Sequence, residues 1–235
     1  MWEDNEMNGL YQENFRRKSV RHYENKNMTN ETLNELMSII SKTQRLNDNP
    51  AIFRILTANQ VKRNFSNAPY YLAAYSHPDI DSAINASFVM QQSRKETAHA
   101  EDSPFFMMMA FGYGTDAIYR HGVEEFKRKS PLEITDIKEM EDLLEPGRLA
   151  PSAINQQSWY FSGDSSKIRL FIAESPFLFK NMMKHLKAAD AGIVISHLWL
   201  SVLVKNRFDG LTKESNISFP GNKNMIYVWT INLKN

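Results

Sequence analysis

The chain contains no cysteine at all. Disulfides, thiolate zinc sites and thiol nucleophiles are thereby excluded together. Small secreted domains so often depend on disulfides that the absence points to a cytoplasmic protein. Net charge is equally scarce: 28 Lys and Arg oppose 27 Asp and Glu, leaving +1, so no global basic field is available for nucleic acid. The sequence reads as having no run of the roughly 18 to 20 apolar residues that a membrane helix needs. The opening MWEDNEMNGLYQEN has neither the basic flank nor the apolar core of a signal peptide. Histidines at 22, 77, 99, 121, 185 and 197 show no paired ligand spacing, so no metal site is expected. P-loop, nucleophile-elbow and kinase signatures are missing. Gly112-Tyr113-Gly114 lacks the third glycine and the βαβ setting of a dinucleotide turn.

What is present is an ordinary globular composition, 42% hydrophobic and 23% charged, in 235 residues, enough for one large domain or two small ones. Thr29 or Asn30 is placed to cap a helix carrying Leu33, Leu36, Met37, Ile39 and Ile40 at helical spacing. Asn47 to Pro50 form a turn, and Ile52–Leu56 and Tyr70–Tyr75 read as strands. Asp81 or Ser82 is placed to cap a helix through Ile84, Phe88 and Val89. Ser93 to Ser103 reads as an exposed loop, and the apolar Phe105–Phe111 as a buried strand. The order then recurs: an amphipathic helix at Ile137–Leu144, a polar loop from Pro151 to Gln157, strands at Trp159 and at Ile168–Ala173, a helix opening at Asp190, and a strand at Met225–Leu233. Arg45-Leu46 returns as Arg148-Leu149, and Asp81-Ser-Ala-Ile84 as Asp190-Ala-Gly-Ile193. The natural reading is a duplicated α+β unit.

Three stretches carry chemistry. Ala150-Pro-Ser-Ala-Ile-Asn-Gln-Gln-Ser-Trp159 is dense in amides and hydroxyls; it suits a flat heteroaromatic edge with alternating donors and acceptors, or simply a turn that caps itself. Arg17-Lys18-Ser19-Val20-Arg21 and Lys127-Arg128-Lys129-Ser130-Pro131 suit a phosphate or polyol, or else are solvated basic faces.

Together these residues resemble the nitroreductase family of FMN-dependent oxidoreductases. Arg17 to Tyr23 looks like the family's opening basic segment. Ala150 to Trp159 matches its A-P-S-x-x-N-x-Q-P-W loop, with Ser158 in place of the proline. Gly112-Tyr113-Gly114 and Lys127 to Leu132 look like its G-Y-P turn and K-x-R-x-P-L segment, with Lys129 where arginine is usual. The family's loop normally follows the basic segment early in the chain. Here that place holds Leu46-Asn-Asp-Asn-Pro50, and the intact loop comes about a hundred residues later. The arrangement resembles the subgroup in which two half-units are fused in one chain.

The resemblance implies an α+β, nitroreductase-like fold: an antiparallel-rich sheet flanked by helices, internally duplicated as a pseudo-dimer. Its halves would be 15–131 and 132–235, together one compact unit. In the family, FMN lies at a homodimer interface, and a fused chain would supply both contributions itself. The resemblance places Arg17, Lys18, Ser19 and Arg21 towards the ribityl phosphate or ring edge. It places Lys127 and Lys129 towards the phosphate, and Pro151, Ser152, Ala153 and Asn155 along the isoalloxazine. It implies electron transfer from NADH or NADPH through FMN to a nitroaromatic, quinone or similar small-molecule acceptor. No acid–base dyad is needed, because the chemistry is the cofactor's. It implies neither nucleic acid nor membrane as a partner, and a monomer or homodimer. A flavin-binding or sensing protein without useful turnover, or a degenerate interaction scaffold, are the alternatives. The family's glycine-rich flavin segment would fall at Gln91 to Pro104, which holds no glycine.

Overall fold

The computed structural model describes residues 4–62, 67–92, 105–115, 119–174 and 180–234. Two compact units divide the chain: residues 16–121, and residues 122–235 together with 1–15.

The 16–121 unit begins as helix α1 (Asp4–Arg16) ends. Helix α2 (Asn30–Lys42) starts where the Thr29 hydroxyl accepts the Thr32 N–H at 3.1 Å, as its sequence predicts. Strands β1 (Ala51–Thr57), β2 (Tyr70–Ser76) and β3 (Phe105–Phe111) form an antiparallel sheet in the order β1-β2-β3. Between β2 and β3 runs α3 (Ile80–Gln92), whose buried face carries Ala83, Ile84, Phe88 and Val89. Its cap is Asp79, not Asp81 or Ser82: the Asp79 carboxylate accepts the Ser82 N–H at 2.8 Å and the Ser82 hydroxyl at 2.6 Å. Among the described strands β3, like β1, lies at an edge of the sheet, and it is only half-buried from Phe106 to Phe111. The expectation of a buried strand is corrected there, because an unbroken apolar run does not reveal which side of a sheet lacks a neighbour. Ser93 to Pro104, holding the polar loop and most of the glycine-free segment, lies outside the described residues.

The other unit holds α4 (Pro131–Ile134), α5 (Glu141–Arg148), β4 (Trp159–Asp164), β5 (Lys167–Ala173), α6 (Lys180–Val204), β6 (Phe208–Thr212) and β7 (Met225–Leu233). Its sheet is antiparallel in the order β4-β5-β7-β6. Helix α6 is the core element, with Ala188, Ala191, Val194, Ile195, Leu198 and Val202 at 0–1% exposure. It begins ten residues before Asp190, so Asp190 is an interior helix residue and not a cap. The sequence leads one to expect no membrane-length apolar stretch, yet within α6 His185–Val204 has the length and a mean hydropathy of 1.4; it is 78% buried within the fold. Its small and polar residues interrupt the run without lowering the average below that level.

The two units share one plan. Each runs helix, antiparallel strand pair, helix, and a returning strand that joins the second strand of the pair: β1-β2-β3 in one, β4-β5-β7 in the other. The final pairing breaks register once in each, at Ala74/Tyr75 and at Leu170/Phe171. In each unit the loop before the first strand is tied to the long helix by a buried polar side chain. Asn85 accepts the Leu46 N–H at 2.9 Å, and Asp190 accepts the Ala153 N–H at 2.8 Å. Mixed helix and antiparallel sheet, in two copies, agrees with the expected fold class.

Candidate functional site

In the unit holding β4–β7, the two motif segments 127–129 and 150–158 meet. Helix α5 delivers the chain to the second. Pro146 lies inside that helix, and its carbonyl takes a 3.0 Å hydrogen bond from His197 Nδ1 on α6. A Cβ on Gly147 would stand 2.6 Å from Leu198 Cδ2, so only glycine allows α5 and α6 to approach so closely. The chain then turns through Pro151, Ser152 and Ala153, all half-buried, and a 3-10 turn at Ala153–Asn155. Ser152 directs the turn: its hydroxyl accepts the Gln157 N–H at 3.0 Å and its carbonyl the Asn155 N–H at 3.1 Å.

Four non-glycine residues in these segments adopt left-handed backbone: Lys127 (φ 48°), Ile154 (48°), Asn155 (58°) and Gln157 (48°). Asparagine tolerates that region; a β-branched isoleucine does so only under constraint. Ile154 is also 82% exposed, so burial of its side chain does not compensate the strain. Strain concentrated in one short loop is what functional loops carry.

Hydrogen bonds fasten the basic segment to the loop. Arg128 Nη1 donates to Asn155 Oδ1 at 2.6 Å and to the Phe126 carbonyl at 2.8 Å. Asn155 Nδ2 donates to the Lys127 carbonyl at 3.2 Å. Lys129 donates its backbone N–H to Gln157 Oε1 at 2.7 Å and its Nζ to the Gln157 carbonyl at 2.9 Å. Arg148, paired through two nitrogens with Glu145, donates to the Lys129 carbonyl at 3.0 Å. Lys127 is exposed, and its carbonyl is held by Asn155 Nδ2. Beneath the loop Asp190 is 3% exposed, and burial pushes its carboxyl up to about 7 against the Ala153 hydrogen bond and the nearby Lys187.

Lys127, Lys129, Pro151, Ser152, Ala153 and Asn155 are therefore neighbours in one unit. Arg17, Lys18, Ser19 and Arg21 belong to the other. There two isolated antiparallel bridges join Arg17 to Tyr119 and Tyr23 to Gly114: Arg120 donates its N–H to the Arg16 carbonyl at 2.6 Å and its guanidinium to the Arg17 carbonyl, and Glu24 donates to the Tyr113 carbonyl at 2.8 Å. Lys18, Ser19 and Arg21 are exposed, whereas Arg17 is 6% exposed. The residues not singled out as site members are Gln157, Arg128 and Asp190. Gln157 and Arg128 lie inside the quoted motifs, where the amide-rich loop and the basic run are their signal. Asp190 had none, since an acidic residue before an apolar stretch looks like a cap.

A crystal structure described as a putative nitroreductase from Thermotoga maritima MSB8 is similar to this chain, with a TM-score of 0.61 over 97% of this chain and 93% of that one at 16% identity. That likeness shows the fold. No curated protein sequence matches. The family model described as "Putative TM nitroreductase" matches residues 9–94 and again 90–202, two successive segments that fit a chain of two half-units. The chain belongs to this nitroreductase family.

Proposed function

We propose that the protein is an FMN-dependent oxidoreductase that passes electrons from NADH or NADPH to a nitroaromatic, quinone or similar small acceptor. The observation that carries this reading is the fastening of Lys127, Arg128 and Lys129 onto the amide-rich loop from Ser152 to Gln157. Three consecutive cations are the donor set a phosphate ester needs. The exposed Ile154 offers an apolar face of the kind that lies against a flat ring. At the loop's end the Ser158 hydroxyl is buried and, among the described residues, has no hydrogen-bond partner. These residues fit the cofactor.

Bound FMN would supply the two-electron chemistry. The chain's own part is to bind and orient: Lys127 and Lys129 bring positive charge to the phosphate, while Pro151, Ser152, Ala153 and Asn155 present a fixed edge to the ring. The segment Arg17-Lys18-Ser19-Arg21 enters this reading through the family resemblance. Such a reductase would work in the cytoplasm, as a monomer or homodimer, with neither nucleic acid nor membrane as partner.

The engagement of Arg128 and Lys129 by the loop's own carbonyls and amides favours a second reading, in which flavin is held or sensed without useful turnover. One experiment separates the two. The purified protein is incubated with FMN, freed of excess ligand and examined by visible absorbance. A retained flavin band that NADH or NADPH bleaches anaerobically supports the oxidoreductase. A retained band that neither bleaches supports the sensing protein. No retained band sinks both.

A further inference from the structure

Gln157 uses every polar group it has on the two motif segments. It is 5% exposed. Its N–H reaches the Ser152 hydroxyl, its carbonyl accepts from the Lys129 ammonium, and its Oε1 accepts the Lys129 N–H. Its Nε2 donates to the Asn155 carbonyl and Oδ1, each at 3.2 Å. Through Asn155 Oδ1 this chain of bonds continues to the Arg128 guanidinium at 2.6 Å. The Gln157 side chain thus holds the Lys129 backbone and the amide that holds Arg128, while its backbone carbonyl takes the Lys129 ammonium.

This geometry depends on Gln157 standing at φ +48°. A residue that precedes proline is driven to extended backbone near φ −120° by clash with the proline ring. Position 158 is serine, so that clash is absent and the left-handed turn is open to Gln157. The serine in place of the motif's usual proline thus has a physical consequence one residue upstream: it frees Gln157 to fold back over the basic segment.

Resting on the flavin reading above, we infer that Gln157, released by Ser158, is the positioning residue of the 127–129 cationic segment, and that it gives this chain its preference for a phosphorylated over an unphosphorylated flavin. Gln157 does not meet the phosphate itself. It fixes the backbone at Lys129 and the orientation of the Lys129 and Arg128 side chains, so that these cations need not be ordered when the anion arrives.

The test compares FMN and riboflavin affinities, by flavin-fluorescence titration, for the native chain, Gln157→Ala, Ser158→Pro and the double variant. Each single variant is expected to lower FMN affinity by about tenfold, the scale of one charge-assisted hydrogen bond, with riboflavin affinity unchanged. The double variant is expected to be no worse than either single one, because both remove the same arrangement. An unchanged FMN-to-riboflavin ratio in both single variants overturns the inference. An equal loss for both flavins also overturns it, since that reports a collapsed loop. Gln157→Glu keeps the acceptor for the Lys129 N–H and serves if the alanine variant does not fold. If the native chain holds neither flavin, the oxidoreductase reading falls, and amide exchange decides the geometric part. Slow exchange of the Lys129 N–H in the native chain and fast exchange in both variants sustains it; no difference overturns it.

Discussion

Asp190 is a carboxyl held almost out of water, 3% exposed on α6, with the Ala153 N–H on one oxygen. Lys187, itself buried and donating to the Ala173 carbonyl at 2.6 Å, faces it from one turn earlier, and Glu174 acts on that lysine. Burial dominates, and the carboxyl is pushed up to about 7 from an ordinary 3.8. A group whose folded pKa is raised stabilises fully below its unfolded value and loses that contribution as pH climbs to the folded one. Asp190 therefore costs stability progressively between pH 3.8 and about 7, by at most about 4 kcal/mol. Asp190→Asn keeps an acceptor for Ala153 and removes the charge. Chemical denaturation at pH 5 and pH 8 should show the variant gaining most at pH 8; an equal gain at both would contradict the assignment. Neither Asp190 nor the role of Gln157 was legible in the sequence. One depends on helix α6 beginning ten residues earlier, the other on a backbone angle that Ser158 permits, although the Ser158 departure itself was plain to read.

At the scale of elements, two contacts decide how the second sheet and its helices hold. The first is the crossing of α5 and α6 at Gly147. Alanine ordinarily favours a helix over glycine by roughly 1 kcal/mol, but the added Cβ would stand 2.6 Å from Leu198 Cδ2 and 3.0 Å from Phe161 Cζ, both wholly buried, so the packing must shift to admit it. Overpacking costs typically 1–3 kcal/mol, so Gly147→Ala should lower the melting temperature despite its better propensity; a rise would show that the crossing yields. The second is Arg169 on β5, paired through two nitrogens with Glu214 at 2.9 Å each, while Thr230 of β7 donates to the same carboxylate. The Arg169 hydrogen bonds hold Glu214 down at about 2 from an ordinary 4.5. That stability is present above pH 4.5 and lost as the pH falls towards 2. Glu214→Gln should remove this part of the acid sensitivity, read as a flatter stability profile between pH 5 and 2.5.

Elements with strong periodicity or unbroken apolar runs were legible: α2, β1, β2, β5 and β7 lie where the pattern puts them. Strand β6 (Phe208–Thr212) was not, because Asp209 and Gly210 carry no strand preference and its pairing with β7 sets it in the sheet. Helix α1 was hidden in the same way, its polar residues giving little apolar stripe to read.

For the whole molecule, the shared plan of the two units meets an unequal distribution of residues. Leu46-Asn-Asp-Asn-Pro50 stands before β1 where Ala150 to Trp159 stands before β4. Only the second has the serine, asparagine and glutamine that fasten a basic segment. The flavin reading therefore expects one FMN per chain, measured as the ratio of flavin to protein absorbance at saturation; two per chain would mean that the first loop also serves.

That inequality alters what a single substitution can do. In a two-fold homodimer every change is written twice, so a residue that would suit one copy and harm the other is never tried alone. In this chain the loop before β1 and the loop before β4 are separate stretches of one gene product. One holds asparagines but neither serine nor glutamine, the other holds all three, and each is free to change without its twin.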